Sequence, residues 1–406
     1  MPTIRRPIAT RSADGGYHRP NRHRPQRDPR PDLTKLPPLR NVVQPWPVGV
    51  LRLLVVLLLA GQLFVTAAIQ RPDLMHPARI GTDASTYFAA GQRLNAGHSL
   101  YGALRPDDRP IPQFPEILPA PLLSPPLIAV VWRPLALLPG GLSMDLWWFG
   151  GLVLLVGLVI AFALVDRPRQ LLVLVAISML GLPLAILAGR HYLYPGFDSP
   201  ISFAALSGNV NTYIVALFVI TWWASSRGRG RVAGIAAALA AVLKLGPVML
   251  LWWFITRRSW QSVRAFVVTA IALGIVGVVF AGLQANFDYL HLAFGGNVQP
   301  APFSLPEILH RLFGVAPKYA RYSTIAVIVI GVVAIWALRR RPRLAFTAVI
   351  LTTTFSSPVV LQGNLALLIA IAAPWVIPDA SRPTASPVTD EIATTETTAI
   401  APIPPG

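Results

Sequence analysis

Apolar runs of nearly twenty residues recur along this 406-residue chain, and they restrict its fold more than any other feature. A helix crossing a hydrocarbon core of about 30 Å needs about twenty such residues. Candidate apolar runs, the shortest of 12 residues, fall at 50–69, 122–138, 146–165, 171–188, 213–224, 233–255, 265–283, 323–338, 346–361 and 366–377. Charged residues make up 13% of the chain and hydrophobic residues 54%, whereas an average soluble domain carries about 25% charged residues. The sequence therefore predicts an all-α polytopic membrane protein with about nine to eleven transmembrane helices. No segment is long enough to bury a separate soluble core.

The net charge of +18 points to nucleic acid only if the basic residues gather on a soluble domain. Here they sit in an N-terminal arm and in short loops between apolar runs, which is the positive-inside pattern. Residues 1–46 hold ten Lys and Arg against three acids and read as a disordered cytoplasmic arm. No cleavable signal peptide is expected, because the first apolar run begins too far from the start. Residues 47–378 form the predicted transmembrane domain, and the Thr-, Ala- and Pro-rich 379–406 a disordered tail. The absence of cysteine excludes disulfides, thiol chemistry and Cys-metal sites.

The few acids are unevenly placed. Of 17 Asp and Glu, five (Asp73, Asp83, Asp107, Asp108 and Glu116) fall in 70–121, a long polar loop after the first apolar run. Loops held by a rigid scaffold often carry function. Within this loop, Gly81-Thr82-Asp83 reads as a helix start, with Tyr87, Gly91 and Leu94 on one face and Gly97 as a stop. The helix is expected to lie along the membrane surface. Asp83 is either a general base facing the loop's substrate or a first-turn acid satisfied by the helix dipole.

Lys244 is the sharpest outlier, lying in Ala-Ala-Val-Leu-Lys-Leu-Gly-Pro with no acid within ten residues. An ionisable residue at membrane depth costs at least about 2.5 kcal/mol and is by default a functional candidate. Its ammonium suits a phosphate, although a lysine can also snorkel to the interface. Basic residues flank this segment on both sides, at Arg227–Arg231 and at Arg257, Arg258 and Arg264. Either 232–256 is a hairpin broken at Gly246-Pro247, or one basic loop departs from the charge rule.

Residues 286–311 read as a second outer loop, in which Asn297, His310 and Arg311 are candidates to hold a sugar or phosphate. Asn209 and Asn211 follow Gly208 at the opening of an apolar run, where they either cap a helix or hydrogen-bond a sugar. Arg133 reads as an interfacial anchor. The pairs Trp147-Trp148, Trp222-Trp223 and Trp252-Trp253 read as interface belts. No metal-ligand cluster and no nucleotide-binding glycine loop appears, so no cofactor is expected.

Several motifs resemble those of glycosyltransferase family 87. The stretch Asp83-Ala-Ser-Thr-Tyr87, continuing to Gly97-His-Ser-Leu-Tyr101, resembles the family's first outer loop. Arg133-Pro-Leu-Ala-Leu-Leu-Pro139, Gly208-Asn-Val-Asn211, Leu243-Lys-Leu-Gly-Pro247 and Ser304-Leu-Pro-Glu-Ile-Leu-His-Arg311 resemble later segments in the family's order. Two features differ: Pro119-Ala-Pro-Leu-Leu-Ser-Pro-Pro126 replaces an aromatic-Pro segment, and Ser357-Pro358 is followed by Gln362-Gly-Asn364 where many mannosyltransferase members carry histidine.

The resemblance implies a GT-C-like bundle with a long first extracytoplasmic loop, in the plasma membrane with the N-terminus cytoplasmic. It implies transfer of a sugar, most often mannose and next arabinose, from a polyprenyl-phosphate donor to a cell-envelope glycolipid or glycan, with inversion. Asp83 would be the catalytic base. Lys244, Arg311 and His310 would meet the donor phosphate, and Tyr87, Asn209, Asn211 and Asn297 the substrates. The rival reading is a transporter or flippase of lipid-linked substrates. That reading predicts broken helices in corresponding halves, whereas the sequence shows one broken segment.

Overall fold

Proline and glycine divide the chain into its elements. In the computed structural model the described residues are 82–101, 122–163, 207–294, 304–316, 322–357 and 362–377, with isolated Val50, Ala204 and Tyr319. The chain divides into Met1–Pro45 and Trp46–Gly406, and every described residue belongs to the second unit. The basic arm, the runs at 51–69 and 171–188, Asn297 and the tail lie outside the described residues.

Among the described residues the structure is all-helical. The α-helices are α1 Thr82–Asn95, α2 Pro126–Leu135, α3 Gly140–Ala163, α4 Asn211–Ser226, α5 Gly230–Leu243, α6 Met249–Thr256, α7 Trp260–Ala281, α8 Leu283–Phe294, α9 Leu305–Phe313, α10 Tyr322–Ala337, α11 Pro342–Phe355 and α12 Ala373–Val376. A short 3₁₀ turn, Gly246–Val248, joins α5 to α6, and an 11-residue 3₁₀ segment, Gln362–Ala372, leads into α12. By length and composition, α7 is able to cross a membrane. The α2–α3 pair, bent by 118°, does so if it forms one span.

Two sequence expectations change here. The run 122–138 contains a helix of only 10 residues, about 15 Å long, too short to cross alone. Pro125-Pro126 starts α2, and the chain turns before α3, where the Ser143 hydroxyl donates to the Leu135 carbonyl at 2.6 Å. Much of the second outer loop is helical, because α8 and α9 occupy it. Pro306 in the first turn and Gly314 at φ +64 punctuate α9.

The core joins α4, α5, α11 and the 3₁₀ segment. Small residues permit the closest approaches. A methyl group on Gly234 of α5 would lie 2.3 Å from the Ser262 carbonyl of α7. One on Gly331 of α10 would lie 2.1 Å from the Thr352 hydroxyl of α11. Trp222, Trp253 and Phe346 are fully buried and stack together, with ring centroids 5.1–6.1 Å apart. Trp147 is buried as well. These three tryptophans are therefore core residues rather than a belt, because interior faces of the bundle surround them. Trp223 fits the interfacial expectation better, with Arg227 and Arg229 over its ring at 5.3 and 5.0 Å.

Contacts decide how 232–256 runs. Gly230 and Gly234 at the start of α5 face Gln261 and Ser262 at the start of α7. Lys244, at the other end of α5, reaches Asn211 at the start of α4. The chain then reverses: Gly246 meets Thr353, near the end of α11, and Trp253 meets Phe346, near its beginning. Both ends of the segment thus lie at the arginine-rich end of the bundle. This is the hairpin alternative, with Lys244 beside its tip.

Candidate functional site

Asp83 stands in the first turn of α1, where the helix dipole favours a carboxylate. A backbone bond from the Ala84 amide to the Ser207 carbonyl, at 3.2 Å, ties this turn to the segment before α4. Gly208 makes that approach possible. It has φ +62, and a methyl group there would lie 2.7 Å from the Ala84 side chain. The Trp147 indole fixes the turn by donating to the Gly208 carbonyl at 2.8 Å.

From this junction runs a chain of amides. The Asn209 amide donates to Asp83 Oδ2 at 2.8 Å, while its Oδ1 accepts the Asn211 backbone N–H at 2.8 Å. Asn209 therefore holds the first amide of α4, close to its expected capping role, and is also a partner of the acid. The Asn211 Nδ2 group donates to Asn364 Oδ1 at 2.7 Å and to the Gly363 carbonyl at 3.1 Å. The Lys244 ammonium donates to Asn211 Oδ1 at 3.1 Å and to Asn364 Oδ1 at 2.9 Å. An ammonium is donor only, which fixes the polarity of both asparagines. One more N–H of Lys244 remains for another acceptor.

Break chemistry places the cation. Lys244 is the residue after α5, with φ −156 and ψ 130, just before Gly246-Pro247. A positive charge there complements the carbonyl end of the helix. Asn211 is fully buried and Asn209 nearly so. The amide oxygens of Asn211 and Asn364 give the ammonium polar partners that water would otherwise provide.

The Asp83 carboxyl is held above its usual range. Burial is the main cause, opposed by the Asn209 hydrogen bond, the Lys244 charge and the Ser207 hydroxyl. A carboxylate raised in this way is a stronger base when ionised. Tyr87, one turn along α1, is buried against Trp132 and Trp147, with ring centroids 6.3 Å from each. Burial and the neighbouring Asp83 push its hydroxyl up, so it stays neutral.

Other candidates lie elsewhere. Arg311 on α9 bonds Glu307 at 2.6 Å, and the His310 ring lies 2.9 Å from the Val315 carbonyl. Arg133 bonds Asn95 at 3.0 Å and the Phe280 carbonyl at 3.3 Å, fastening the end of α1 to α2 and the end of α7. Asn364 is the residue that sequence reasoning left out of the site. Its signal was a second Gly-Asn pair, Gly363-Asn364, echoing Gly208-Asn209 at a helix opening.

The cluster spans segments far apart in sequence, and comparison with known proteins covers most of them. No solved structure matches the chain. Over 216 residues it is 26% identical to a curated relative from Mycolicibacterium smegmatis, the polyprenol-phosphate-mannose-dependent alpha-(1-2)-phosphatidylinositol pentamannoside mannosyltransferase. That match covers 52% of this chain and 46% of the relative, so the chain spans about half the length of the curated protein it matches. The profile of glycosyltransferase family 87 matches residues 123–362, which include Asn209, Asn211 and Lys244. With more than half of its length matched in this way, the chain belongs to glycosyltransferase family 87.

Proposed function

We propose that this protein is a membrane glycosyltransferase that moves mannose from a polyprenyl-phosphate carrier to a hydroxyl of a cell-envelope glycolipid or glycan. The observation that carries the reading is the linkage of a carboxylate of raised basicity to a lysine through Asn209 and Asn211. Family membership and the named relative support the donor class. The setting is a GT-C-like bundle in the plasma membrane, with residues 1–46 cytoplasmic and the Asp83 end extracytoplasmic.

In this mechanism the acceptor O–H gives its proton to Asp83 as its oxygen bonds to the anomeric carbon. The bond from that carbon to the phosphate oxygen breaks, and its electron pair leaves with the phosphate. Lys244 meets the growing negative charge, which is where preorganised electrostatics lowers a barrier. Displacement from the opposite face inverts the centre, so a β-linked donor gives an α-mannoside. One carboxylate suffices, unlike the acid–base pair of glycosidases. Arg311 and His310 are further donor-phosphate contacts in this scheme. Arg311 would have to leave Glu307 to serve there. Tyr87 walls the acceptor side, and Asn297 belongs to the substrate contacts.

The test is transfer of radiolabelled mannose from polyprenyl-phosphate mannose in membranes carrying the protein. Asp83→Asn is expected to lower turnover by at least about 100-fold, the usual scale for a lost general base. Full transfer by Asp83→Asn removes it from the chemistry. Lys244→Met is expected to raise the donor KM as well as lower kcat, and unchanged donor use would return the lysine to a structural role.

A further inference from the structure

At the arginine-rich end of the bundle, α5 and α7 border an open surface cleft of about 520 Å³. Its rim is Arg231 on α5 with Gln261 and Arg264 on α7, and Ile235 and Val268 continue it toward the middle of the helices. Trp260 stands at the mouth, 56% exposed. Gly234 lets α5 and α7 touch beside the cleft.

The cations here differ from their neighbours. Arg227, Arg229 and Arg257 lie over the faces of Trp223 and Trp253. Among the described residues, Arg231 and Arg264 meet neither ring nor carboxylate, and both are exposed. Neither α5 nor α7 carries an acidic residue. Below the arginines, Val268, Ile271, Ile275 and Val279 form an exposed apolar stripe at helical spacing along α7. Two cations above an aliphatic groove match a phosphodiester attached to an acyl chain. Basic pockets between membrane helices bind anionic headgroups in this way.

We infer that this cleft binds an anionic glycerophospholipid, with its phosphate between Arg231 and Arg264 and one acyl chain along Ile235 and Val268. It lies at the end of the bundle opposite the Asp83–Lys244 cluster, so it is a structural lipid site and not the donor site.

The test is native mass spectrometry of the purified full chain in detergent, titrated with phosphatidylglycerol or phosphatidylcholine of identical acyl chains. Preference for phosphatidylglycerol is expected to be about thirtyfold, from two surface cations. R231Q/R264Q should abolish the preference, R231K/R264K should keep most of it, and R227Q/R229Q should leave it intact. Equal retention of both lipids by the wild type, or an undiminished preference in R231Q/R264Q, overturns the assignment. Displacement of phosphatidylglycerol by millimolar inorganic phosphate alone would mark a free-anion site and also overturn it. If R231Q/R264Q does not yield folded protein, R231K/R264K against the single variant R264Q decides by the same readout.

Discussion

Asp83 and Lys244 are 161 positions apart, yet each sets the other's chemistry. Lysine charge and the Asn209 amide both favour the ionised carboxylate, against burial. Removing either favourable partner must therefore raise the acid's pKa. A base works only when ionised, so Asn209→Ala is expected to move the acidic limb of the pH–rate profile to higher pH. A limb that stays in place or moves down would uncouple Asn209 from the base. The same sign applies within the catalytic cycle. In the proposed mechanism donor phosphate neutralises Lys244, and Asp83 then loses one of the influences lowering its pKa. The limb in kcat, which reports the loaded enzyme, should then lie above the limb in kcat/KM for the donor. Sequence singled out Asp83 and Lys244 by their rarity, one acid at a helix start and one cation in an apolar run. It did not show that they share a hydrogen-bonded chain, because which polar groups meet depends on helix packing, and Asn364, which braces Asn211 and Lys244, looks in sequence like an ordinary polar turn.

Each helix start in this fold depends on a specific local geometry, and Gly208 is the most exacting. Its φ of +62 and the 2.7 Å clearance to Ala84 leave no room for a side chain. Gly208→Ala should cost about 1–3 kcal/mol in backbone strain and displacement, read as a lower thermal midpoint. It should lower transfer more than stability, because α1 carries Asp83. The α5–α7 contact makes a separate demand. Gly234→Val is expected to cost about 1–3 kcal/mol by overpacking, with transfer falling only as far as folded protein is lost. Breaks were the most legible feature at this scale: Gly246-Pro247 ended a helix as expected. Helix lengths were less legible, because an apolar run does not reveal where a bend such as that between α2 and α3 divides it.

Among the described residues, Arg227–Arg231 and Arg257–Arg264 lie at one end of the bundle and the amide-linked cluster at the other. The hairpin of α5 and α6 returns to its starting end, so the loops at Arg229 and Arg258 should face the same compartment. The chain has no cysteine, which makes labelling direct. Arg229→Cys and Arg258→Cys should both react with an impermeant maleimide from the cytoplasmic side, and His98→Cys only from the other. Labelling of the first two from opposite sides would end the hairpin description. Hydrophobic run length, charge placement and the positions of Gly and Pro are local quantities. They determined by themselves that the chain is helical, membrane-suited, basic at its loop ends and broken near Lys244. Tertiary structure decided which polar residues meet, because the amide chain from Asp83 to Lys244 and Asn364 closes only when three helix openings converge. It also decided that Trp222 and Trp253 belong inside, since their burial depends on neighbours such as Phe346 that lie far along the chain.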